Sequence, residues 1–190
     1  MTGRAIACVG PSGAGKDTVM EAVRAARPTI GLARRVITRP EASGGEDFEG
    51  VSEAEFQERL KAGAFVLSWQ AHGLHYGIPN KVVDQIVGGE TLCINLSRAV
   101  LDQANQVLPG LLVLDITARS EVLAARLKAR GRETAQEIAD RLARPAPVLP
   151  DGLTLVRIDN SGALLDTVSA VLDALDSATA AQASGTRSIS

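Results

Sequence analysis

Nine residues constrain this chain more than any others: Gly10-Pro11-Ser12-Gly13-Ala14-Gly15-Lys16-Asp17-Thr18. The apolar run at 5–9 before them reads as a buried strand, and 19–26 after them has the composition of a helix. Strand, glycine-rich turn, lysine and helix, in that order, make a phosphate-binding P-loop. The glycines let backbone N–H groups turn inward around an anion, and the helix N-terminus adds roughly half a positive charge behind them. Lys16 is predicted to reach the β- and γ-phosphates of a nucleotide as a mobile point charge. One position departs from the pattern. A Ser or Thr that ligates Mg²⁺ usually follows the lysine; here Asp17 does, with Thr18 next. A carboxylate beside a triphosphate is repulsive unless a metal or its water lies between them. Either Asp17 meets the magnesium shell, or it turns away and Thr18 supplies the hydroxyl.

A chain of 190 residues suits one α/β domain with a small inserted lobe. Its net charge of −2 gives no general pull toward nucleic acid or membrane. Sixteen arginines against four lysines favour bidentate phosphate recognition, but the alanine-rich composition points to codon bias, so only particular arginines carry weight. Cys8 and Cys93 lie in apolar runs without metal-ligand spacing and read as buried thiols of a reducing cytoplasm. No stretch approaches the length of a membrane span.

Further along, a strand is predicted at 33–37 and a polar, glycine-rich loop at 38–50. The capping box Ser52 to Glu55 opens a helix that Gly63 stops. A strand at 64–69, a loop at 70–78 and a helix starting at Pro79 follow. The apolar runs 91–95 and 111–116 read as parallel strands buried on both faces, each followed by a helix, at 98–107 and 118–130. A second capping box, Thr134 to Glu137, opens a helix to about 143. Pro145, Pro147 and Pro150 stiffen the way to a strand at 153–158. Ser161 is predicted to cap a last helix ending near 175, and 177–190 reads as a disordered tail. The organisation predicted is a core (1–33 and 90–176), a substrate lobe at about 34–89 and a lid at about 126–144. All five aromatics fall between 48 and 76. The three phenylalanines serve as the core of the lobe; Tyr76, in a loop beside glycines, is the functional candidate.

Arg126, Arg130 and Arg132 precede the second capping box, and Arg141 and Arg144 follow it. Two helices that meet at Gly131 and present arginines inward make a lid able to close over phosphates. Phosphoryl transfer spreads negative charge over the migrating group, so positioned cations do most of the catalysis. No general base for a substrate hydroxyl stands out. An acceptor that is itself a phosphate needs none. His72 and His75 have no evident third ligand, which argues against a metal and leaves a hydrogen bond to a substrate phosphate or sugar.

The ordered set Gly10 to Lys16, Thr38-Arg39-Pro40, Val51 to Phe56, Gly63 to Phe65, His75-Tyr76-Gly77 and Arg126 to Arg144 resembles the guanylate-kinase-like P-loop kinases across about 1–175. The resemblance implies a parallel sheet core with helices on both faces. It departs where that family binds its base: Glu41 and Ala42 stand near the place of a second arginine, the loop at 45–50 is short and lacks a tyrosine, and Ser68 and Asn95 match the two guanine-reading acids. Lost base-reading carboxylates would leave guanine's donors unpaired. Gly15 to Thr18, Gly44 to Asp47, Leu67 to Trp69, Ala71 to Gly73, Tyr76 to Pro79 and Asn95 to Arg98 are instead similar to the ribose 1,5-bisphosphate phosphokinases of phosphonate catabolism. That resemblance implies transfer of the γ-phosphoryl group of ATP, with Mg²⁺, to the anomeric phosphate of a sugar bisphosphate. Lys16 and the P-loop would hold ATP, and Arg130, Arg132 and Arg141 the migrating group. Arg35, Arg39 and Tyr76 would hold substrate phosphates, with Arg98 or His75 for the second. A guanylate kinase and a non-catalytic binding module of the same fold are the other readings; the retained lysine and lid arginines speak against the module.

Overall fold

The computed structural model describes residues 3–41, 46–131, 133–144 and 148–185. Strand β1 (Arg4–Val9) leads through the P-loop into helix α1 (Lys16–Ala26). β2 (Ile30–Leu32) follows, then β3 (Arg35–Ile37), β4 (Phe48–Gly50), α2 (Glu53–Lys61), β5 (Phe65–Ala71), β6 (Leu74–Pro79) and α3 (Lys81–Val87). β7 (Thr91–Asn95) runs into a 3₁₀ turn (Arg98–Val100) and α4 (Leu101–Val107). β8 (Leu112–Thr117), α5 (Ser120–Arg130), α6 (Ala135–Leu142), β9 (Thr154–Asp159) and α7 (Leu164–Gly185) complete the chain.

Five strands form a parallel sheet in the order β2-β7-β1-β8-β9. Side chains alternate across it, and both faces are covered. Ala5, Ala7, Val9, Leu92, Ile94 and Val113 pack under α3 and α4, while Ile6, Cys8, Cys93, Leu112, Leu114 and Ile116 pack under α1 and α7. Burial on both faces is why these strands read as unbroken apolar runs.

The smaller sheet, in the order β4-β3-β6-β5, is built wholly from 35–79. The strand predicted at 33–37 is β3 alone, confined to Arg35–Ile37, and β2 before it was not expected. β2 belongs to the large sheet, β3 to the small one, and the amide of Ala33 still donates to the carbonyl of Cys93 (2.9 Å) before the chain leaves. The loops predicted at 38–50 and 70–78 contain β4 and β6. β6 pairs antiparallel with β5 about the turn at His72 and Gly73, both at positive φ. Pro79 ends β6 instead of opening α3, so its missing N–H is spent at a strand end. Phe56 and Phe65 stack at 4.8 Å beneath this sheet.

The capping box at Thr134 and Glu137 is complete. At α2 only half of one forms: Ser52 accepts from the amide of Glu55, whose carboxylate pairs with Arg59. Ser161 does not cap α7; its hydroxyl accepts from the amide of Arg119 (2.8 Å). α7 runs to Gly185, so the stretch from 177 expected as tail is helical that far. It is held against α1 by a bidentate pair between Arg27 and Asp176. No described helix is long and apolar enough to cross a membrane.

Candidate active site

The first glycine of the P-loop is forced by contact. A Cβ on Gly10, at φ +145°, would lie 2.0 Å from the carbonyl oxygen of Ile116. Beyond it the ammonium of Lys16 donates to the carbonyls of Gly10 (3.0 Å) and Pro11 (3.2 Å). Burial pushes its pKa below 10.5; the carboxylate of Asp17 pulls it back up, and Arg35 and Arg130 push it down. One ammonium thus feels the P-loop, the small sheet and α5 together.

The P-loop is braced from behind. Asn160, which follows β9, donates to the carbonyl of Ala14 (2.8 Å), takes the hydroxyl of Thr167 on its own carbonyl oxygen (2.9 Å), and donates its amide to Thr117 (2.7 Å). Arg126 reaches from α5 to the carbonyls of Gly13 and Ala14 (both 3.4 Å) and Asn160 (2.9 Å). Gly15 leaves room for this brace, because a Cβ there would sit 2.7 Å from the Asn160 amide nitrogen. A pocket of about 340 Å³ opens beside it, lined among others by Gly13, Thr18, Arg126, Arg130 and Asn160. Asp17 faces the other way. Its Oδ1 accepts from Nδ2 of Asn95 at the end of β7 (2.8 Å).

On the small sheet, Trp69 and Tyr76 stack at 5.2 Å with 6° between their planes, and the Arg35 guanidinium lies 5.1 Å from the Tyr76 ring centre. Arg35 is buried, and three of its nitrogens have partners. Nε and one terminal nitrogen pair with the two oxygens of Glu46, and the other donates to the carbonyl of Asn95 (3.1 Å). A continuous chain, Glu46–Arg35–Asn95–Asp17, therefore joins the small sheet to the P-loop. The Arg39 guanidinium lies 4.3 Å from the Phe48 ring centre.

His75 sits on the opposite face, 5.4 Å from the Phe56 ring centre and with Nε2 3.5 Å from Glu53. Ser68, paired across from Gly77, shares that face by alternation, away from Arg35 and Tyr76. Arg98 instead stands at the end of β7, with a terminal nitrogen 2.5 Å from Asp115. In the α5–α6 pair, Arg130 lines the donor pocket and Arg141 is paired with Glu133 (2.7 Å). Arg132 lies outside the described residues. Among those described, no cluster of His, Cys, Asp and Glu is arranged to hold a metal by itself.

Sequence reasoning passed over Asn160, Thr167 and Asp115. Asp115 had a signal: a lone carboxylate inside the run 111–116 is buried charge and demands a partner. Asn160 and Thr167 had none, because their partners are backbone and each other.

A glycine-rich phosphate turn with a buried lysine, a donor pocket beside it and an arginine-bearing second sheet define a P-loop phosphotransferase. The comparisons agree. Residues 2–147 match the guanylate kinase family model. The chain is 53% identical over 163 residues to the ribose 1,5-bisphosphate phosphokinase PhnN of a Ruegeria species, covering 85% of this chain and 86% of the relative. It is 45% identical over 174 residues to the protein of that name from Azotobacter vinelandii, covering 90% and 95%. A bifunctional ribose 1,5-bisphosphokinase-thymidine phosphorylase of Cupriavidus pinatubonensis is 45% identical over 172 residues, 88% of this chain and 28% of that longer one. In fold, the chain resembles the guanylate kinase of Anaplasma phagocytophilum, with a TM-score of 0.65 at 18% identity over 93% of this chain and 86% of that one. The chain belongs to the guanylate kinase family and, within it, to the ribose 1,5-bisphosphate phosphokinases.

Proposed function

We infer that the chain transfers the γ-phosphoryl group of ATP to the anomeric phosphate of ribose 1,5-bisphosphate, releasing ADP and 5-phospho-α-D-ribose 1-diphosphate in the cytoplasm. The observation that carries this reading is the meeting of three segments at Lys16, whose charge feels Asp17, Arg35 and Arg130. ATP fits the donor side. Its phosphates replace the carbonyls of Gly10 and Pro11 as partners of Lys16, and its nucleoside end takes the pocket beside Arg126 and Asn160. Thr18, which lines that pocket, holds the α-phosphate side. Asp17, steadied by Asn95, would hold the water shell of Mg²⁺ through its second oxygen, and the ion would supply neutralisation of the nucleotide's phosphate charge.

The acceptor oxygen is already anionic. It attacks the γ-phosphorus, the bond to the β–γ bridging oxygen breaks, and ADP leaves with that electron pair; no base is needed. Arg130, Arg132 and Arg141 stabilise the migrating charge as the α5–α6 pair closes, so Arg141 exchanges Glu133 for phosphate. Arg39 and Tyr76 hold the acceptor phosphate, and Arg35 fixes Tyr76 from beneath its ring. The test is an assay of ATP with ribose 1,5-bisphosphate, GMP, AMP and UMP. The sugar bisphosphate is expected to react at least ~10³-fold more efficiently than GMP, the scale at which unread hydrogen-bonding groups are rejected. Equal turnover of GMP would make this a guanylate kinase.

A further inference from the structure

Asp115 is 3% exposed, one position along β8 from otherwise apolar neighbours and beside Val9, the last residue before the P-loop. A carboxylate this deep is retained only with a partner. It has one close partner, Arg98, whose terminal nitrogen donates to its Oδ1; Nε of the largely exposed Arg157 lies 3.9 Å from Oδ2. Arg98 is itself unfinished. Its Nε is buried and finds no acceptor among the described residues. A guanidinium on a side chain 13% exposed, with one terminal nitrogen fixed and its buried Nε unmet, has donors to spare for a ligand, and its planar fork fits phosphate. The cluster of two arginines and one aspartate carries a net charge of +1, which favours an anion.

The location fits a substrate. Arg98 opens the turn directly after the C-terminal end of β7, the end of an open α/β sheet at which ligands bind, and that turn packs on β5 of the small sheet. Three residues earlier, the carbonyl of Asn95 holds Arg35. Two guanidinium groups thus flank one strand end: Arg35, a strut beneath Tyr76 on the side proposed for the reacting phosphate, and Arg98, which has a donor to spare. His75 lies on the far face of the small sheet with Phe56.

We propose that Arg98 binds the acceptor phosphate remote from the reacting one, and that Asp115 is the positioning residue that aims it. This rests on the sugar-bisphosphate reading above. A carboxylate at a strand end beside β1 is also where P-loop enzymes hold the water shell of Mg²⁺, and the experiment separates the two roles.

KM and kcat are measured with ribose 1,5-bisphosphate and with ribose 1-phosphate, which lacks the remote phosphate. Arg98→Gln is expected to raise KM for the bisphosphate by about tenfold or more, with kcat and the KM for ribose 1-phosphate moving less than about threefold. Asp115→Asn should show the same selectivity and add nothing on the Arg98→Gln background. The paired change Arg98→Met with Asp115→Leu, which leaves no buried charge, guards against misfolding and should repeat the selective loss. Equal losses on both sugars in folded variants, or an Asp115→Asn enzyme that needs more Mg²⁺ at unchanged acceptor KM, overturn the proposal. A wild-type enzyme that turns over neither sugar overturns the functional reading instead.

Discussion

The donor and acceptor halves of the site park their cations differently. On the donor side, Lys16 and Arg126 rest on backbone carbonyls. On the acceptor side and in the α5–α6 pair, Arg35 rests on Glu46, Arg98 on Asp115 and Arg141 on Glu133. A neutral carbonyl is readily exchanged for a phosphate. A carboxylate paired bidentately with a guanidinium is a near match for one and competes with it. The donor half is therefore poised for its ligand, while Arg141 must be released, Arg35 serves as a fixed strut, and Arg98 has for a phosphate only the donors that Asp115 leaves free.

The largest effect tests the donor half. Lys16→Met should fold normally and lose at least about a hundredfold in kcat at saturating ATP, because volume is kept while the charge on the transferred group goes. Turnover within tenfold of wild type would remove Lys16 from that role. Its titration is a companion test. The folded pKa lies below the unfolded 10.5, so stability is flat below both values and rises with pH between them. Activity runs the opposite way: kcat/KM for ATP should fall along an alkaline limb centred below 10.5, and Lys16→Arg should push that limb upward.

Next in size is the strut. With the side chains of Arg35 and Glu46 only 8% and 15% exposed, Glu46→Ala strands a buried charge and should cost about 3 kcal/mol in urea unfolding. A loss below about 0.5 kcal/mol would mean that Arg35 is as free as the donor cations, and the contrast between the halves would collapse. Arg141→Ala comes third. It should lower kcat by roughly tenfold or more while changing the KM for ATP less than about threefold, since its charge is used once it has left Glu133. A pure KM effect would place Arg141 in ground-state binding. The smallest is Thr167→Val, which leaves the buried carbonyl of Asn160 without its donor. A cost of about 1–2 kcal/mol with a modest rise in KM for ATP is expected, and an unchanged melting temperature would show that Asn160 braces the P-loop without help.

The same contrast governs what the sequence made legible. The P-loop is a local device: its spacing, Lys16 and the flanking strand and helix lie within 5–26, and the chain alone announces it. The parallel core strands were equally plain, because burial on both faces leaves no polar alternation. The small sheet was not. β4 is three residues long, β6 carries histidine, tyrosine and glycine, and only pairing across 35–79 makes them strands. Arg35 illustrates the limit at the site. Its candidacy came with the family resemblance, but that Glu46 and Asn95 occupy three of its nitrogens is a tertiary fact. Asp17 is similar: its hydrogen-bond partner, Asn95, lies seventy-eight positions away.

The ends of the large sheet have different tasks. The P-loop follows the end of β1, whereas Arg4, at the start of β1, donates to the carbonyl of Ala178 late in α7. That contact lies at the opposite end of β1 from the P-loop. An affinity handle or surface tether joined beyond α7 would leave the substrate entrance clear, so immobilised enzyme should keep its turnover.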